Sequence, residues 1–217
     1  MADRRFVVAL TGASGAVYGR RLLECLARTG STVHLVVSDA AAKVFNHELS
    51  IPLDVNDGPS VVRALLGDEP ANVQIHHHKD FEVSIASGSY RHDGMVICPC
   101  SGGTLGRIAC GASSNLIERA ADVCLKERRK LILVPRETPL SEIHLENMLR
   151  VTRAGAVVLP ASPGFYSGED SLARIVDFIV SRILDQLGVE NTLMQRYGEP
   201  LDSARGGPAR RRHPEEE

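Results

Sequence analysis

The sequence predicts a doubly wound α/β domain, a single parallel sheet with helices on both faces, and three observations predict it. Short apolar runs recur along the chain at Phe6–Leu10, Thr32–Val37, Gly94–Cys98, Lys130–Pro135 and Ala156–Leu159, as in parallel strands covered on both sides. Stretches of helical period fall between them. Loops of glycine and hydroxyl residues follow the runs at Phe6–Leu10 and Gly94–Cys98, where a βα turn builds a ligand crevice.

In chain order, Thr11-Gly-Ala-Ser-Gly15 turns the chain sharply after the first strand, with amide groups free to face an anion. Leu22, Leu23 and Leu26 then line one side of a helix that Gly30 stops. Ser38 is placed as the N-cap of a second helix, ending near Glu48. Residues 50–71 read as an irregular excursion with a short helix at Ser60–Leu66. Val73–Lys79 leads into a polar loop, Ile85–Tyr90. If His76–His78 lie on a strand, only His76 and His78 share a face; without further ligand spacing a solvated or structural role is favoured. Helices are expected at Ser114–Lys126, Leu140–Ala154 and Asp170–Leu187. Residues 1–197 form the domain, and 198–217 hold too little apolar content to order, so a disordered tail is expected.

Composition narrows the function classes. A 217-residue chain with 43% hydrophobic residues buries a sizeable core. A net charge of −2 gives no electrostatic case for nucleic acid or an anionic membrane. No apolar run is long enough to span a bilayer. Five cysteines without paired spacing fit a reducing cytoplasm, and Cys98 and Cys100 read as buried strand-end thiols rather than a metal pair.

The Thr11–Gly15 loop departs from the dinucleotide pattern, because Ser14 stands where the second glycine belongs. A serine there suits a single phosphate, although Asp39, about where a ribose-binding acid is expected, keeps a dinucleotide open. Gly12–Gly15, Ser38, Ser101–Thr104 and Arg136–Glu137 all fall at strand ends. Hydroxyls, turn amides and one arginine, without a nucleophile–His–Asp pattern, describe a mononucleotide site. The residues alone name no reaction.

Several segments carry a resemblance: TGASGAVYG (11–19), HLVVS (34–38), IASGS (85–89), CPCSGGTL (98–105), NLIERAADVCLKERRKLILVPRETPL (115–140), GAVVLPASPGFY (155–166) and SRILDQLG (181–188). Over roughly residues 5–197 the chain resembles the UbiX-type flavin prenyltransferases, flavoproteins with a Rossmann/flavodoxin-like fold. The resemblance implies transfer of a dimethylallyl group from dimethylallyl monophosphate to reduced FMN, without a metal. The product, prenylated FMN, serves a partner decarboxylase of the UbiD type, and relatives assemble as homo-oligomers, commonly dodecamers, with sites at subunit contacts.

By position, the resemblance implies FMN contacts from Gly12, Ala13, Ser14, Ser38, Ser101, Gly102, Gly103, Thr104 and Arg136. Tyr166 and Arg182 would bind the dimethylallyl phosphate, with Arg119, Lys126, Arg136 and Glu137 around its phosphate. Ser14 and Glu48 would manage protons near the flavin ring, Glu137 would act as general acid, and Tyr197 would cover a neighbouring site. Gly103 replaces a larger residue of relatives, so backbone contact alone is expected there. Taken singly, Arg119 and Lys126 equally fit an exposed charged stripe, and Arg182 a snorkelling surface residue. Two alternatives remain at this point. One is an FMN-dependent cysteine decarboxylase of the same superfamily, using a histidine near His47; the other is a non-catalytic FMN-binding module.

Overall fold

The computed structural model describes residues 4–165 and 171–195. Tyr166, Tyr197 and the segment 198–217 lie outside the described residues.

Six parallel strands form one sheet: β1 (Arg5–Leu10), β2 (Thr32–Val37), β3 (Val73–His77), β4 (Gly94–Cys100), β5 (Leu131–Pro135) and β6 (Val157–Val158). Their order is β3-β2-β1-β4-β5-β6. This is the dinucleotide-fold order, not the flavodoxin order, and its switch point lies between β1 and β4. The connections are α1 (Ala16–Arg28), α2 (Asp39–Leu49), α3 (Gly58–Leu66), α4 (Gly102–Ala109), α5 (Leu116–Lys126), α6 (Glu142–Arg153) and α7 (Leu172–Leu187).

Helices cover both faces of the central strands. Phe6, Val8 and Leu10 of β1 meet Leu22, Leu23 and Leu26 of α1, Phe45 of α2, Val61 and Leu65 of α3, and Ile179 and Ile183 of α7. Val7 and Ala9 of the same strand meet Leu105 of α4, Ile117, Ala120 and Ala121 of α5, and Val151 of α6. This alternation makes the strands read as unbroken apolar runs. Burying each of these leucines contributes roughly 1.5–3 kcal/mol.

The structure sharpens three expectations. Val73–His77 is a full strand, paired in parallel with Val33–Val37. It ends at His77, so His76 and His78 do not act as same-face strand neighbours. His76 instead bonds His34, and His78 bonds Asp39. Finally, β4 continues through Pro99 to Cys100, with a register shift after Ile97. Cys98 and Cys100 are buried in it, and burial pushes the Cys100 thiol up to about 12.

Candidate functional site

The switch point opens a crevice because the loops after β1 and β4 leave toward opposite faces. Thr11 ties those loops together. Its hydroxyl donates to the Pro99 carbonyl at 2.7 Å and accepts the Ser101 amide at 2.8 Å. Gly15 has φ 109°, the left-handed conformation that lets α1 begin immediately after the turn.

The N-termini of α2 and α4 border the same crevice. Ser38 caps α2, its hydroxyl accepting from the Ala41 amide at 3.1 Å. Ser101 caps α4 in the same way, accepting from the Thr104 amide at 3.2 Å. Two helix N-termini and their hydroxyls suit a phosphate or a polar ring edge.

The start of α1 is different. Glu48, in the last turn of α2, places its carboxylate 2.9 Å from the amides of both Gly15 and Ala16. Part of the anion nest expected after β1 is therefore filled by the chain's own carboxylate. Burial alone would push the Glu48 carboxyl up. Hydrogen bonds from the Ser14 side chain, Gly15 and Ala16, and the charge of Arg136, outweigh that effect and hold it below its ordinary value. Glu48 is thus an anion at neutral pH, coupled to Ser14. Across the crevice, Arg136 Nε donates to the Ser14 carbonyl at 3.4 Å. Glu137 is exposed and accepts the Thr138 amide at 3.1 Å.

Within one chain the structure brings together Gly12–Gly15, Ser38, Glu48, Ser101–Thr104 and Arg136–Glu137. Three expected phosphate ligands lie elsewhere. Arg119 donates to the Ala86 carbonyl and pairs with Asp122; Lys126 pairs with Glu127; Arg182, exposed on α7, pairs with Asp185. Lys126 ends the helix that leads into the amino end of β5, whereas Arg136 follows that strand's carboxyl end. At about 3.3 Å per residue, the five residues of β5 put the two at opposite ends of the strands.

Sequence reasoning missed three neighbours of the crevice. Thr11 joins the loops, a role that only the register of β1 on β4 reveals. Tyr18 packs its ring against Gly15, and burial raises its hydroxyl's pKa, opposed by Arg136. His144 covers the start of α4, its Nε2 2.9 Å from where a Cβ on Gly102 would stand. Its local signal is the capping box that it forms with Ser141 at the start of α6. Among the described residues there is no group of three or more acidic, His or Cys side chains placed to hold a metal ion. No helix of the described residues is long and apolar enough to cross a membrane.

A flavoprotein family profile matches residues 1–184. The flavin prenyltransferase UbiX of Alkalihalophilus pseudofirmus is 51% identical over 197 residues, covering 91% of this chain and 98% of the relative. This chain belongs to the UbiX-type flavoprotein family. The Pseudomonas aeruginosa UbiX is 49% identical, over 90% of this chain and 94% of its own. Among solved UbiX structures, AnUbiX (PadA1) in complex with FMN and dimethylallyl pyrophosphate superposes with a TM-score of 0.81. The two are 44% identical, over 90% of this chain and 98% of that one. A dodecameric, FMN-dependent UbiX-like decarboxylase from Escherichia coli O157:H7 gives 0.78 at 42% identity, over 90% of this chain and all of its own, 100%. The donor set fits the flavin mononucleotide of such UbiX relatives, with capped helix starts at Ser38 and Ser101 and a guanidinium at Arg136.

Proposed function

We propose that this protein is a flavin prenyltransferase that moves a dimethylallyl group from dimethylallyl monophosphate onto FMN. The observation that carries the reading is the Ser14–Glu48–Arg136 cluster at the switch point, in a chain 51% identical to a UbiX. In this reading Gly12, Ala13, Ser14, Ser38, Ser101, Gly102, Gly103, Thr104 and Arg136 hold FMN. Reduced FMN supplies the electron-rich ring that accepts the allyl carbon.

The chain's residues do the rest. Breaking the allylic C–O bond leaves its electron pair on the phosphate, and Arg136 with Arg119, Lys126 and Arg182 stabilises that charge. Glu137 hands a proton to the leaving phosphate, and Tyr166 shelters the allyl cation with its ring. Glu48, held as a carboxylate, accepts the proton released on ring closure through the Ser14 hydroxyl.

Because Arg119, Lys126 and Arg182 sit away from the crevice of their own chain, we assign them to a neighbour's crevice in a homo-oligomer. Helix α6 supports that assembly: Ile143, Leu145 and Leu149 on its outer sides are 68%, 53% and 50% exposed in the single chain. A dodecamer is the proposed form, following the E. coli relative. The working compartment is the cytoplasm, where all five free thiols stay reduced. The product passes to a UbiD-type decarboxylase.

The test is anaerobic incubation with reduced FMN and either dimethylallyl monophosphate or the diphosphate, followed by mass spectrometry. The expected result is FMN enlarged by one five-carbon unit. Unchanged FMN with both donors refutes the reading.

A further inference from the structure

His34 lies mid-strand in β2 on the same face as Val36, is 2% exposed, and uses both ring nitrogens. Its Nδ1 is 2.8 Å from His76 Nε2, and its Nε2 is 2.6 Å from the Tyr90 hydroxyl. The two imidazoles stack with centroids 5.1 Å apart, and Tyr90 meets His34 edge-on. Burial, then the neighbouring His76, His92 and Arg5, lowers the His34 pKa to about 4. Burial lowers that of His76 as well, against the pull of Asp80. Both rings are therefore neutral at neutral pH. A neutral imidazole donates from one nitrogen and accepts at the other, so the three groups form one directed line.

Tyr90 ends the segment that faces α5. The carbonyls of that segment are held by arginines: Ala86 accepts from Arg119 Nε at 3.0 Å, and Gly88 and Tyr90 accept from Arg129 at 2.5 and 2.6 Å. The Lys126 ammonium and the Glu127 carboxylate lie directly over Gly88, so that a Cβ there would displace them. Arg119 thus takes its orientation from Ala86 and Asp122, and Lys126 rests on Gly88. Moving the segment would free the Arg119 guanidinium from Ala86 and shift the surface against which Lys126 lies. The loop residues Ser87 and Ser89 are exposed, so the Tyr90 hydroxyl is the segment's side-chain bond into the sheet.

We propose that Tyr90 and His34 are positioning residues, which set the Arg119 and Lys126 cations for the substrate phosphate by pinning the 84–90 segment to β2. This rests on the assignment of Arg119 and Lys126 given above. A phosphate held by several fixed cations tolerates little displacement, since misplacement by about 1 Å costs up to about 100-fold.

Tyr90→Phe tests it in the full-length assembled protein, because it keeps the ring and removes only the hydroxyl. His34 Nε2 is then left buried without its partner, and the segment loses its side-chain hydrogen bond to β2 while Ile85 stays packed in the core. The expected result is a kcat/KM for dimethylallyl monophosphate lowered about tenfold, with the loss divided between KM and kcat, and FMN affinity and assembly size within about twofold of wild type. Faster amide exchange at Ser87–Arg91 should accompany it. His34→Gln should act alike, and the double variant should be no worse than either single one. An unchanged kcat/KM in Tyr90→Phe overturns the proposal, and so does a loss of FMN affinity in step with kcat/KM. Arg119→Ala and Lys126→Ala serve as the separate check on the parent reading. If they leave kcat/KM unchanged while wild type prenylates, the phosphate assignment falls and this proposal with it. A wild-type protein that does not prenylate FMN refutes the proposed function itself.

Discussion

The Glu48 carboxylate lies 2.9 Å from the Gly15 and Ala16 amides, so the last turn of α2 closes the first turn of α1. A carboxylate at a helix N-terminus favours its charged form and the helix together. The same atoms adjoin Ser14, so one contact both orders the loop after β1 and holds a charged carboxylate in the crevice.

Glu48→Gln separates those roles. The amide keeps an acceptor for the helix start but cannot take up a proton, so prenylation should fall by about 100-fold or more. FMN affinity should change little. The pH dependence has a fixed sign: the folded pKa lies below the reference value of 4.5. The stabilisation is complete above that reference and is lost as pH falls through the lowered folded value. Urea unfolding at stepped pH should therefore show wild type losing more stability than Glu48→Gln in acid. Equal slopes for the two proteins count against a charged Glu48.

Arg136 meets the Ser14 carbonyl from the end of β5 and is the guanidinium held in the crevice by that bond. Arg136→Ala should weaken FMN binding about tenfold or more, read from quenching of flavin fluorescence. Arg136→Lys should recover part of it, since a point charge replaces a planar fork. Wild-type affinity in Arg136→Ala would remove this residue from the FMN contacts.

The sheet was legible in the sequence because both of its faces are covered, which leaves strands such as Phe6–Leu10 and Gly94–Cys98 as bare apolar runs. β3 was harder. Its edge position lets Gln74 and three consecutive histidines stand in or beside it, so no apolar run marks it. Ser38 and Ser101 were readable as caps because an N-cap acts on amides three residues ahead. Contacts across the fold were not readable from spacing. Glu48 reaches Gly15 over 33 residues, and His34 meets Tyr90 over 56. Only strand order and register bring such pairs together.

Gly19 shows how tightly α1 is seated on the sheet. A Cβ there would collide with the Cys98 carbonyl oxygen and lie 2.8 Å from Leu10 Cδ2. The carbonyl belongs to a fixed strand and cannot yield as a flexible side chain would. Gly19→Ala should cost about 1–3 kcal/mol, visible as a lowered Tm, with weaker FMN binding because α1 carries the Gly12–Gly15 loop. An unchanged Tm would mean that α1 has room to lift.

Glu118 joins α4 to α5 from a fully buried position. Its carboxylate pairs with Arg107 and accepts the Ser114 amide at 2.8 Å and the Asn115 side chain at 2.9 Å. Arg107 is half exposed, so water replaces part of what its loss removes. Arg107→Ala should therefore cost about 1–2 kcal/mol in urea unfolding, less than a fully enclosed pair would. Glu118→Ala should cost more, because it strands two donors as well as a guanidinium.

Assembly gives the last test. Helix α6 carries apolar residues on more than one side, and only one of these is covered within a chain: Val151 faces the core while Ile143 and Leu149 face water. Ile143→Glu together with Leu149→Glu should break the assembly into smaller species, measured by light scattering. Prenylation should fall with it, because Arg119, Lys126 and Arg182 would no longer reach a neighbour's crevice. Co-expression of two defective chains isolates the shared site from mere instability. Chains carrying Glu48→Gln lack the crevice base but keep their cations; chains carrying Arg119→Ala keep the base. If each site combines the crevice of one chain with the cations of another, some sites in the mixed assembly regain both, and activity exceeds that of either variant alone. If every site is built within one chain, each remains defective and mixing restores nothing.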